Sequence, residues 1–64
     1  MNKTWYSAVL LLIKEKTYFD LGRVYFHAKN TDKAKANFQY LIDNFSKSDY
    51  VPMAKAYLHE IKSK

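Results

Sequence analysis

The chain has 64 residues and a mass of 7.6 kDa, room for one small folding unit, since single domains usually run to about 100–150 residues. An apolar share of 48% excludes a disordered polar tail, and one Gly and one Pro leave little material for tight turns between strands. With no Cys there is no disulfide framework and no cysteine nucleophile, and a net charge of +5 favours acidic partners.

The expected fold is therefore all-α, with long helices and few breaks. The first element covers residues 3–14. Its run Trp5–Ile13 is apolar at every position except Ser7, about the length of a signal-peptide core. Lys14-Glu15-Lys16 follows with no small-x-small cleavage site, and about nine apolar residues cannot cross roughly 30 Å of hydrocarbon. The run reads as a helix buried on several sides or by a partner. Thr17-Tyr18-Phe19-Asp20 has the form of a capping box. A fresh helix start at Thr17 and a continuous helix through Lys16 both fit.

Over 17–28 the apolar residues Tyr18, Phe19, Leu21, Val24, Tyr25 and Phe26 recur at spacings of three and four. Gly22 lies inside this stripe at a cost of about 1 kcal/mol relative to alanine. Such a cost implies a packing reason, the close approach of a neighbouring helix to a backbone with no side chain. Lys29-Asn30-Thr31-Asp32 supplies a polar turn, with Asn30 suited to the left-handed conformation and Thr31 or Asp32 to capping. The next helix, 32–45, carries Ala34, Phe38, Leu41, Ile42 and Phe45 at i, i+4, i+7, i+8 and i+11, the clearest amphipathic stripe in the chain. A loop over 45–49 leads to a last helix, 50–62, with Ser48 or Asp49 as cap, Pro52 in the first turn and a stripe of Ala54, Tyr57, Leu58 and Ile61.

The middle of this pattern resembles a tetratricopeptide repeat, an antiparallel helix-turn-helix unit of about 34 residues that stacks into solenoids. Tyr18, Leu21, Gly22 and Tyr25 match the family's first helix. Ala34, Phe38 and Leu41, the first of them twelve residues after Gly22, match its second, with Phe45 near the end. Phe38-x-x-Leu41-Ile42-x-x-Phe45-x-x-Ser48, followed by Ala54, is most similar to repeats of bacterial envelope proteins such as the BamD-type outer-membrane assembly lipoproteins and the periplasmic partner of the Tol-Pal system. The chain departs from them in lacking a proline after Phe45 and in having Lys29 where the inter-helix turn usually has glycine. The resemblance covers about residues 15–48, one full repeat, with 3–14 and 50–62 as flanking helices of the same unit.

The resemblance implies a non-enzymatic interaction or scaffold module. It implies a concave strip on the first repeat helix formed by Lys16, Phe19, Arg23, Phe26 and His27, where two aromatics alternate with cations. Such a strip suits a protein or peptide segment with apolar anchors and acidic groups. The competing reading packs Phe19 and Phe26 on the 3–14 helix. The resemblance also implies the periplasm or cell envelope as compartment; without it the chain would be cytoplasmic. A core this small rarely supplies more than about 3–5 kcal/mol, and eleven aromatic residues are more than it can enclose. Both points favour self-association as a homodimer or larger assembly.

Other chemistries have little in the sequence to carry them. His27 and His59 stand 32 residues apart without ligand spacing, the six acidic residues fall on separate helices or caps, and there is no glycine-rich phosphate loop. No catalysis and no cofactor or metal is expected. A small basic helical nucleic-acid-binding domain is the alternative reading, resting on the net charge. It is weakened because Lys and Arg are dispersed along the chain instead of gathered on one face. No membrane span is expected either, and surface insertion through 5–13 is disfavoured because the run lacks a polar face.

Overall fold

The computed structural model describes residues 3–63, with side chains from Tyr6 onward. It contains α1 (Lys3–His27), α2 (Thr31–Asn44) and α3 (Val51–Lys62), with no strand among the described residues. The fold is all-α, a helical hairpin followed by a third helix. None of these helices is long and apolar enough to cross a membrane.

The two helices drawn over 3–14 and 17–28 are one. Thr17 does not cap a new start: its Oγ1 donates to the Ile13 carbonyl at 2.8 Å, the bond a threonine makes back to the preceding turn inside a helix. Asp20 is engaged by Lys16 at 3.1 Å instead of reaching back to a free amide. The hydrogen-bond ladder therefore passes through Lys14–Lys16 without interruption.

α1 ends one residue earlier in register than the sequence suggests. Lys29, not Asn30, takes the left-handed conformation, with φ 66°. The Asn30 amide donates to the Tyr25 carbonyl at 2.9 Å and the Lys29 amide to the Phe26 carbonyl at 3.1 Å, the paired bonds of a Schellman ending. Asn30 is held out of that conformation by its other task. It is the N-cap of α2, its side chain accepting from the Lys33 amide at 3.4 Å. Thr31 and Asp32 lie inside the first turn, where Asp32 complements the helix dipole.

α3 begins at Val51, with Pro52 in its first turn and no side-chain bond from its N-cap residue, Tyr50. Ser48 acts just upstream. Its Oγ accepts from the Tyr50 amide at 3.1 Å and its carbonyl from the Val51 amide at 3.1 Å, which explains why a serine is buried in this loop.

A three-residue turn makes α1 and α2 antiparallel neighbours, and α3 packs on α2. The expected stripes face inward: Ala34, Phe38 and Leu41 from α2 are fully buried, Ala54 and Leu58 from α3 join them, and Tyr57 and Ile61 pack against this core half-buried. Phe38 stands at the centre. Its ring stacks on Tyr57 at 4.9 Å and 8° and lies on Gly22 so closely that a Cβ added there would meet it at 2.6 Å. The glycine therefore sets the α1–α2 approach. Burying a side chain of this size contributes about 1.5–3 kcal/mol, so Phe38 and Leu41 are major supports of the hairpin.

α1 is about 37 Å long at 1.5 Å per residue, whereas the 14 residues of α2 cover about 21 Å. The extra length of α1 projects at its N-terminal end, giving a molecule of 49 × 19 × 13 Å. The apolar run thus forms a helix, as its pattern predicts, but among the described residues no other part of the chain covers its side chains from Val9 to Ile13. Tyr6 and every residue from Val9 to Ile13 are 40–60% exposed.

Candidate functional site

Two surfaces emerge from this arrangement. The first lies where the C-terminal half of α1 meets α3. Phe26 edges onto Tyr57 at 5.0 Å and 71°, and onto His27 at 5.5 Å. Around it an open groove of about 290 Å³ is lined by Phe26, His27, Lys29, Thr31 and Ile61, and a second of about 390 Å³ by Phe26, Ala56, Tyr57 and Glu60. Phe26 and His27 of the expected strip are brought together here.

The other members of the strip are placed differently. Phe19 is 6% exposed and belongs to the core, ringed by Phe38 at 5.9 Å, Tyr50 at 5.0 Å and Tyr57 at 6.0 Å. It offers no anchor pocket to a partner. The competing reading, in which Phe19 and Phe26 pack on the 3–14 helix, is also corrected: that segment belongs to their own helix, and α2 and α3 cover Phe19. Lys16 and Arg23 face solvent, but Asp20 stands between them, 3.1 Å from the Lys16 ammonium and 3.8 Å from the Arg23 guanidinium. Exposed pairs of this kind add little stability, yet they share the cations with a resident carboxylate. Arg23 also lies over the Phe19 ring, 5.7 Å from its centroid.

Among the packing residues, Tyr18 stacks on Tyr40 at 4.3 Å and tilts toward Phe45 at 6.1 Å. Its hydrogen bond to Tyr40, the charge of that second phenol and partial burial together hold the Tyr18 hydroxyl above its ordinary pKa of 10.0. Tyr25 is half-buried, with the Lys33 ammonium 5.6 Å over its ring. Leu21 lies at the margin of the hairpin and remains 39% exposed.

The second surface is the projecting half of α1. On one flank a groove of about 450 Å³ runs between Leu11, Leu12 and Glu15 and the loop from Asn44 to Asp49. On the other, Leu11, Lys14 and Leu21 face Tyr40 and Phe45 across about 370 Å³. Glu15 is the unexpected feature, since it is 7% exposed and carries no hydrogen bond or ion pair among the described residues. No fully enclosed side-chain oxygen lacks a partner, so the carboxylate of Glu15 opens onto the groove while its stem is covered. Its position one helical turn from Leu11 and Phe19 was a legible sign of an inward-facing residue; its lack of a partner was not.

No group of three or more His, Cys, Asp or Glu side chains among the described residues is placed to hold a metal ion. Set against protein families, curated proteins and solved structures, the chain matches none.

Proposed function

We propose that the chain is a non-enzymatic protein-interaction module of tetratricopeptide type, which associates with itself and docks a partner segment bearing apolar anchors and acidic groups. The observation that carries this reading is the side-by-side placement of α1 and α3 over α2. They touch through Phe19, Phe26 and Tyr57 and leave a groove along their seam. Two further features favour it. The first helix approaches the second at a glycine against a buried aromatic, and Lys29 adopts φ 66° at the position where such repeats usually have glycine.

Phe26, Tyr57 and Ile61 supply the apolar floor of the docking groove and His27 and Lys29 its basic margin, while Arg23, outside that lining and 3.8 Å from Asp20, stands one helical turn before His27 on α1. An arginine that gains a carboxylate partner contributes about 1.5–3 kcal/mol through charge-assisted hydrogen bonds. A synthetic peptide alternating Phe or Leu with Asp or Glu should therefore bind about tenfold more weakly to Arg23→Glu, measured by calorimetry, with helicity unchanged by circular dichroism. Equal affinity for both proteins would contradict the groove. Tight binding of a DNA duplex, lost steeply between about 50 and 200 mM salt, would instead identify a basic nucleic-acid module.

A further inference from the structure

We infer that the groove beside Glu15 is a binding site for an arginine side chain of a partner peptide, with an apolar residue next to that arginine seated on Leu11 and Leu12. The site shares no lining residue with the α1–α3 groove. It therefore goes beyond the docking proposed above and stands or falls separately.

The observation that points to a ligand is the carboxylate. Glu15 is 7% exposed and makes no hydrogen bond or ion pair among the described residues. An ionised carboxylate accepts through about four lone-pair sites. Covering it costs hydration, and no donor among the described residues restores what is lost. Its oxygens are not sealed away, since no fully enclosed side-chain oxygen lacks a partner. They open onto a groove of about 450 Å³, so the missing donor is one that enters from outside.

The surroundings select a cation. On the loop side of the groove stands Asp49, exposed and also without a partner. The same side holds the end of α2, whose last turn contains no basic residue, so the negative end of its dipole is left uncompensated. The Asn44 amide nitrogen donates to the Tyr40 carbonyl at 3.0 Å, which leaves its side-chain oxygen as an acceptor. Two carboxylates and a helix C-terminus thus meet at one groove of a chain whose net charge is +5. The described lining includes one cation, Lys47, which is exposed and pairs with neither carboxylate.

Arginine fits this groove better than lysine. A guanidinium is planar and weakly hydrated, and its fork meets one carboxylate with two N–H groups while others remain for Asp49 and the carbonyl end of α2. An ammonium is strongly hydrated and gives up more on entering a covered site. Leu11 and Leu12 explain the apolar neighbour. They stand four and three residues before Glu15, flank it on the helix surface, and are 45% and 60% exposed. The only Arg of the chain, Arg23, is engaged by Asp20 at 3.8 Å farther along α1, so the arginine comes from a partner.

The test is titration of the full, isotope-labelled chain with the blocked pentapeptide Ala-Leu-Arg-Leu-Ala, followed by amide chemical shifts to about 5 mM peptide, enough to measure a dissociation constant near 1 mM. Saturable shifts are expected at Leu11–Glu15 and over 44–49. Replacing the peptide's arginine by neutral citrulline should weaken binding about tenfold, and so should Glu15→Gln. Asp49→Asn should weaken it about threefold, and Lys47→Gln should leave it equal or tighter. Asp32→Asn removes the same charge at the far end of α2 and should change nothing, with circular dichroism checking the helices of every variant. The citrulline comparison uses the natural chain, so it decides the matter even where Glu15→Gln loosens the fold. No saturable shift, equal binding of the citrulline peptide, or equal losses in Asp32→Asn and Glu15→Gln would overturn the site. Shifts confined to Phe26, Tyr57 and Ile61 would overturn it too, while leaving the α1–α3 groove in place.

Discussion

The two halves of α1 are made of similar material and live in different surroundings. From Glu15 to His27 the helix has a neighbour on one side: Gly22 admits the Phe38 ring, Phe19 is enclosed by rings from α2, the loop and α3, and Tyr18 stacks on Tyr40. From Tyr6 to Lys14 it is at least as apolar and nearly bare. Hydropathy thus shows which segment gains from burial, whereas the reach of the neighbouring helices decides which segment obtains it. α2 ends at Asn44, close to the level of Glu15, and the cover ends there.

The largest expected effect comes from breaking the packed half. Gly22→Leu should destabilise the chain by about 1–3 kcal/mol. The clashing atoms belong to Phe38, which is fully buried and stacked on Tyr57, so its ring has nowhere to turn. Against a total of about 3–5 kcal/mol for a core of this size, urea titration should show a much earlier midpoint. Leu12→Ala in the open half, at a residue 60% exposed, should stay within about 0.5 kcal/mol at concentrations where the chain is monomeric. Similar midpoints for the two variants would erase the contrast.

A smaller effect sharpens the boundary at the other end of α1. Lys29 has a left-handed backbone, φ 66°, which costs an L-residue with a side chain about 1–2 kcal/mol and glycine almost nothing. Lys29→Gly should therefore stabilise by about 0.5–1 kcal/mol, the rest being offset by the larger freedom of glycine in the unfolded chain. A loss of stability would mean that Lys29 makes a contact outweighing its strain.

The fold was readable wherever one residue pattern had one structural meaning. The α2 stripe of Ala34, Phe38 and Leu41 and the α3 stripe of Ala54 and Leu58 are period-3.6 signals with a single solution, and both are buried. Thr17-x-x-Asp20 had two meanings. The same spacing that builds a capping box also fits a helix interior, where Thr17 bonds to the Ile13 carbonyl and Asp20 pairs with Lys16. For Asn30 the pattern suggests only the left-handed conformation, with Thr31 or Asp32 as cap; its use as the cap instead passes the left-handed position to Lys29.

The candidate site was less legible, for a physical reason. Which face of α1 stays open depends on where α3 returns, and Tyr50 and Tyr57 close over Phe19 only after the loop has set that path. The Asp20 pairing could have been read from its spacings of four to Lys16 and three to Arg23. The role of Glu15 could not, because it depends on the loop meeting α1 at that level.

Amide hydrogen exchange, resolved along α1, addresses the division of this helix directly. At a concentration below dimerisation, amides of residues 7–13 should exchange orders of magnitude faster than those of 18–26, and raising the concentration should slow the first group alone. Uniform protection along the whole helix at every concentration would contradict the account.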